Sequence, residues 1–191
     1  MPARDYLRFD EVEDVLLSLD LLALVAELIL KQPSYWKWMI IAAHDALQGA
    51  MVCALNDTSG VNVLADRSAR ETLEWHDAPK GTMPNQWLAG FESLLTRCQD
   101  KSRMEDEPLV LTKEQLKDLR RLHEEFRNNF SHFTPMSWSI EIAGLPRIVG
   151  TAVDCIEYLM GCTQALIKLT GNQKRRLSKN IKETRALLAM L

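Results

Sequence analysis

Phe126-Arg127-Asn128-Asn129-Phe130-Ser131-His132-Phe133-Thr134-Pro135-Met136-Ser137-Trp138 closes a long amphipathic helix. Upstream and within it, Leu116, Leu119, His123, Phe126, Phe130 and Phe133 recur at alternating spacings of three and four, which is the period of one core-facing helical stripe. Thr112-Lys113-Glu114-Gln115 is a capping-box pattern that opens this helix, and Pro135 ends it. The stretch also places Arg127, Asn128 and His132 within six residues, and it is the polar constellation here that reads as chemistry rather than scaffold.

On either side the chain reads as helices separated by turn-forming residues. Residues 5–31 form a first helix with a wide apolar stripe that includes Leu7, Val15, Leu22, Leu24 and Ile29, and Pro33 disfavours helix at Gln32. Ser34 is placed to cap a second helix running to about Leu55. That helix is apolar nearly all round, so it is central. His44 lies in it among Ala42, Ala43 and Ala46, beside Asp45 and with no histidine or carboxylate at i+4, and reads as a hydrogen-bonded structural histidine. Residues 61–83 carry the weakest pattern: Val61 to Leu64 as a short extended piece, Asp66 to Trp75 as a short helix, then a loop marked by Pro79, Gly81 and Pro84. Arg70 and His76 stand six apart there and are read as a chance mimic of a catalytic pair, because a Pro/Gly loop gives no rigid platform. A third helix is expected over 85–99, with Trp87, Leu88, Phe91, Leu94 and Leu95 inward, followed by a charged linker from Lys101 to Pro108.

Past Pro135, Gly144-Leu145-Pro146 turns into a fifth helix over 146–169, where Gly150 and Gly161 offer places for close helix approach, and Gly171-Asn172 breaks it. Residues 173–191 form a basic amphipathic helix with Leu177, Ile181, Leu187 and Leu188 as its apolar stripe. Its polar face is either solvated or an RNA-backbone contact through Lys174, Arg175, Arg176 and Lys179. The expected architecture is one all-α helical bundle over 1–191 with about five to six main helices.

A chain of 191 residues that is 47% hydrophobic and 26% charged suits one domain with a sizeable core. The net charge of −3 does not favour nonspecific nucleic-acid binding, so a nucleic-acid site has to be local. Cys53, Cys98, Cys155 and Cys162 have no zinc-ligand spacing and read as free buried thiols of a reducing, cytoplasmic compartment, with Cys155 and Cys162 on one helix face. No signal peptide is expected, since Asp5, Asp10, Glu11, Glu13 and Asp14 occupy the place of a basic n-region. The apolar run from Val15 to Leu30 contains Asp20 and Glu27 and reads as a buried helix, not a membrane span.

Arg127-Asn128-Asn129-Phe130-Ser131-His132 resembles the arginine, polar residue, three more, histidine signature of the HEPN superfamily (higher eukaryotes and prokaryotes nucleotide-binding). The continuation from His132 to Glu141 resembles an uncharacterised, partly plasmid-borne branch of it. The resemblance implies a compact α-helical bundle, a homodimer, and a metal-independent, cofactor-free endoribonuclease of toxin–antitoxin, abortive-infection or stress systems. It assigns catalytic roles to Arg127 and His132, with RNA as substrate, a 2′,3′-cyclic phosphate product and an antitoxin partner such as a nucleotidyltransferase.

The chemistry fits those residues. Internal attack requires the 2′-hydroxyl to lose a proton, and a histidine titrates near neutral pH. The phosphorane gains negative charge, which a guanidinium meets with a planar donor fork. Asn128 is placed to hold the arginine or the substrate by hydrogen bonds. Residues five apart in a straight helix point about 140° apart, so Arg127 and His132 converge only if the helix distorts before Pro135 or if two helix ends meet across a symmetric dimer. Two other readings use the same residues. One is a non-catalytic module binding RNA, a nucleotide or a protein partner. The other is a scaffold in which His132 bonds the last carbonyls of the helix and Arg127 pairs with Glu124.

Overall fold

The computed structural model describes residues 6–7, 9–132, 135 and 137–191. The start of the helix expected from residue 5 and the Phe133 position of the apolar stripe lie outside them. The first helix starts at its cap and not at its first apolar residue: Asp10 is extended and its carboxylate accepts from the Glu13 N–H at 2.9 Å, opening α1 (Glu11–Ile29). Leu7 is therefore exposed, and Leu24 faces outward on α1.

A short 3₁₀ turn, Pro33–Tyr35, leads into α2 (Trp36–Leu55). Ser34 does not cap α2, because it sits inside the turn and its hydroxyl accepts from the Gln32 side chain. α2 is the axis of the molecule, packed against α1 and then against α7 (Leu145–Met160), α4 (Phe91–Cys98) and the segment Arg121–Arg127. The run Pro33–Leu55 is long and apolar enough to cross a membrane, and most of it is buried inside the bundle.

Gly49 lets α1 approach α2 closely. A Cβ there would stand 2.8 Å from Val15 Cγ2, and Val15 is fully buried and stiff at χ1. Gly49→Ala is expected to lose about 1 kcal/mol in urea unfolding, overpacking outweighing the gain in helix propensity. By contrast, nothing approaches Gly150, and Gly161 faces only the carbonyls of its own last turn, so neither supports close helix packing.

Among the described residues no strand forms, and the architecture is all-α. Several boundaries differ from expectation. Val61–Val63 is a 3₁₀ turn, joined through an isolated Leu64–Leu88 bridge to an extended segment. The helix expected over 85–99 is only α4, and Trp87 and Leu88 are exposed because the chain before α4 pairs with Val63 and Ala65. α3 (Asp66–Asp77) is a full helix that carries both Arg70 and His76, so a rigid platform does lie under them. Arg97 organises this region from a buried site, its Nη1 donating to the carbonyls of Asn62 (2.8 Å) and Leu64 (2.7 Å) while Nη2 meets Asp66.

The charged stretch after α4 is tied down as well. Asp106 accepts from the Thr163 N–H at 2.7 Å, capping α8 (Thr163–Leu166), and the Tyr158 hydroxyl donates to the Glu107 carbonyl at 2.6 Å. The fifth helix breaks after Met160, so Cys155 and Cys162 do not share one continuous helix. All four cysteines are free and buried; burial pushes the Cys53, Cys98 and Cys155 thiols up to about 12 and Cys162 to about 11. Gly171 begins α9 (Gly171–Leu188) instead of breaking a helix, because Thr170 and Gln173 make a capping box in front of it.

Candidate functional site

The site-bearing helix opens as its sequence dictates. Thr112 Oγ1 accepts from the Gln115 N–H at 3.2 Å, and Gln115 Oε1 accepts from the Thr112 N–H at 3.0 Å. α5 (Lys113–Arg120) then widens into a π-helix over Arg121–Arg127 and returns to α-helix in α6 (Asn128–Ser131). Single π segments inside α-helices gather at functional sites. The wide turn shifts the inward stripe, so that Leu119, Leu122 and Phe126 are buried while His123 is only half-buried. His132 leaves the helix at φ −118°, ψ 49°, its N–H donating to the Asn128 carbonyl at 2.9 Å.

Arg127 is half-buried, and its Nη1 donates to Asn128 Oδ1 at 3.2 Å. Among the described residues Arg127 forms no ion pair, with Glu124 or any other carboxylate. His132 is exposed, and no hydrogen bond joins it to Arg127. The helix is distorted through Arg127 and ends at His132, but within one chain no hydrogen bond links the two side chains. Trp138 folds back over the end of the helix, its ring 5.0 Å from Phe130, and with Pro33, Trp36, Ile142 and Leu145 it borders an apolar groove of about 470 Å³.

The histidine that the fold places in company is His123. His44, buried in α2, sets its Nε2 2.9 Å from His123 Nδ1 and its Nδ1 3.2 Å from Asp45 Oδ1. The two imidazoles meet edge to edge: their centroids are 5.1 Å apart and their planes 15° from parallel. Phe91 lies across both faces, 4.8 Å from His44 and 4.5 Å from His123. Two ring nitrogens at hydrogen-bond distance share one hydrogen. With the Asp45 carboxylate accepting from His44 Nδ1–H, His44 Nε2 bears the lone pair, His123 Nδ1 bears the proton, and His123 Nε2 is left basic.

The surroundings of His123 disfavour its cation. Burial lowers its pKa from the usual 6.5, the neighbouring His44 lowers it further and Arg127 adds to that, while Glu92 and Glu124 oppose the shift. Glu92, on α4, meets Arg120 through one oxygen at 3.4 Å and keeps the other buried without a partner. The apolar periodicity marked His123 as an ordinary stripe position. A signal was nonetheless present: two histidines occupy core-facing positions of two helices, where each needs a polar partner.

On α9, Lys174, Arg175 and Lys179 are exposed, but Arg176 is engaged with α1, pairing with Glu13 at 2.8 Å and with Asp20. Burial acts to raise the Asp20 carboxyl, and the hydrogen bonds from Arg176 and Asn180 outweigh it, holding the pKa below the usual value. Arg176 is thus a structural tether between helices and not a free phosphate contact. Among the described residues no group of three His, Cys, Asp or Glu is placed to hold a metal ion. Comparison of the chain with protein-family models, with curated proteins and with solved structures returned no match.

Proposed function

We propose that this protein is a metal-independent endoribonuclease of HEPN type that works as a symmetric homodimer, in the manner of a toxin or defence effector. The observation that carries this reading is the Arg127–Asn128 pair at the end of the π segment, followed by an exposed His132 where the helix stops. Asn128 holds the guanidinium, leaving its other donors for a phosphate. The cleavage is internal: the 2′-oxygen attacks phosphorus, Arg127 meets the charge of the phosphorane, and His132 transfers a proton. Exposed Lys174, Arg175 and Lys179 supply backbone contacts to RNA.

A non-catalytic dimer module that holds RNA, a nucleotide or an antitoxin such as a nucleotidyltransferase is the second reading. It is favoured by the absence of a hydrogen bond between Arg127 and His132 within one chain. RNA cleavage by purified protein in EDTA, wild type beside His132→Ala with matched helical circular dichroism, separates the two. The expected result is cleavage that falls about 100-fold in the variant. Wild-type protein that leaves total RNA and tRNA intact would shift the assignment to the binding module.

A further inference from the structure

We propose that His123 is a second proton-transfer group of the Arg127 site, with His44 and Asp45 as its positioning residues. This rests on the ribonuclease reading and deepens it. Internal attack on a phosphodiester moves two protons, one off the 2′-hydroxyl and one onto the leaving 5′-oxygen, and a single histidine per site serves only one of them at a time. His123 lies one turn before Arg127 on the same helix. The hydrogen-bond chain from Asp45 through His44 fixes which of its nitrogens is basic. Phe91, lying across both rings, fixes their plane.

The step balances without any co-reactant. The 2′-oxygen bonds to phosphorus as its proton passes to His123 Nε2. The P–O5′ bond breaks, and the 5′-oxygen takes a proton from protonated His132. Water then returns both imidazoles to their starting states. His123 in its protonated form donates from both nitrogens, so His44 Nε2 goes on accepting from Nδ1 throughout.

The charged and titratable groups around His123 are His44 and Asp45 from α2, Glu92 from α4, and Glu124 and Arg127 from its own helix. Burial, His44 and Arg127 together outweigh Glu92 and Glu124, and keep the base unprotonated at more acid pH than an ordinary imidazole. His132 lies nine residues beyond His123, about two turns further along the axis, and no hydrogen bond joins it to His123 or Arg127 within one chain. The two histidines acting together therefore come from the two copies of the dimer.

The experiment is subunit mixing of full-length His123→Gln and His132→Ala protein, assayed for RNA cleavage after unfolding and refolding together. Each homodimer is expected to be slowed about 100-fold. Random mixing makes half the dimers hybrid, each with one whole site of two, so activity is expected to recover to about one quarter of wild type. In wild type, the acid limb of kcat/KM is expected below that of an ordinary imidazole, and Asp45→Asn, which removes the carboxylate behind His44, is expected to move it to lower pH with little change in KM.

Cleavage by His123→Gln at the wild-type rate would overturn the proposal and leave the ribonuclease reading standing. Two slow, folded variants that fail to rescue each other would overturn the shared arrangement. No cleavage by wild type would overturn both readings. Should His123→Gln not fold, long-range ¹⁵N–¹H correlation of the wild-type imidazoles decides, since a proton found on His123 Nε2 and not on Nδ1 contradicts the relay.

Discussion

Arg127→Ala is expected to lower RNA cleavage by about 1,000-fold, more than any single histidine replacement. A guanidinium opposite a phosphorane answers charge that exists only near the transition state, so its loss falls on kcat and much less on KM. Arg127→Lys keeps the charge but not the fork, and is expected to recover only a small part of the rate. Asn128→Ala is the informative companion: Asn128 Oδ1 restrains Arg127 through one hydrogen bond, so freeing the guanidinium should cost far less than removing it. Single-turnover cleavage of a defined RNA at matched circular dichroism measures all three. Arg127→Ala that cleaves within a few-fold of wild type would remove the arginine from the mechanism.

Arg147→Ala is expected to destabilise the fold by about 3 kcal/mol, although Arg147 lies on the surface. Its side chain is 56% exposed, but its partner Asp118 on α5 is 2% exposed. Asp118 Oδ2 takes the Arg147 contact, with the Thr151 hydroxyl 3.5 Å away, and Oδ1 is buried with no partner. Removing Arg147 leaves a carboxylate stranded between α5 and α7. Asp118→Asn in the Arg147→Ala background is expected to restore much of the loss, since a neutral amide carries a smaller desolvation penalty than a charge. Urea midpoints at an unchanged m-value give the comparison. A loss below about 0.5 kcal/mol would class this as an ordinary surface pair.

The fold class was readable because α1, α7 and α9 carry their apolar residues at helical period, because α2 is a long run apolar nearly all round, and because the Thr112 capping box announces α5. Chain direction through 61–90 was not readable, since it depends on Arg97 reaching back to the carbonyls of Asn62 and Leu64, and no local pattern encodes contacts across 35 and 33 residues. The π segment was hidden for a related reason. Leu122 and His123 are adjacent, so an α-helical register favours one of them, and only tertiary packing selects Leu122 for the core while turning His123 toward His44. Arg127, Asn128 and His132 stood out as residue types, but the His44–His123 contact spans 79 positions and belongs to the assembled bundle.

The position of α2 in the bundle has a consequence for synthesis. The helix leaves the ribosome with apolar residues on nearly every side, and α1 is one of several elements that cover it in the finished bundle. Its other main cover, α7, begins at residue 145, ninety residues after α2 ends at 55. At ordinary elongation rates that is a wait of about 5 to 20 s. For that interval the nascent α2 lacks the cover that α7 gives it in the finished bundle, which makes it a natural substrate for a holding chaperone.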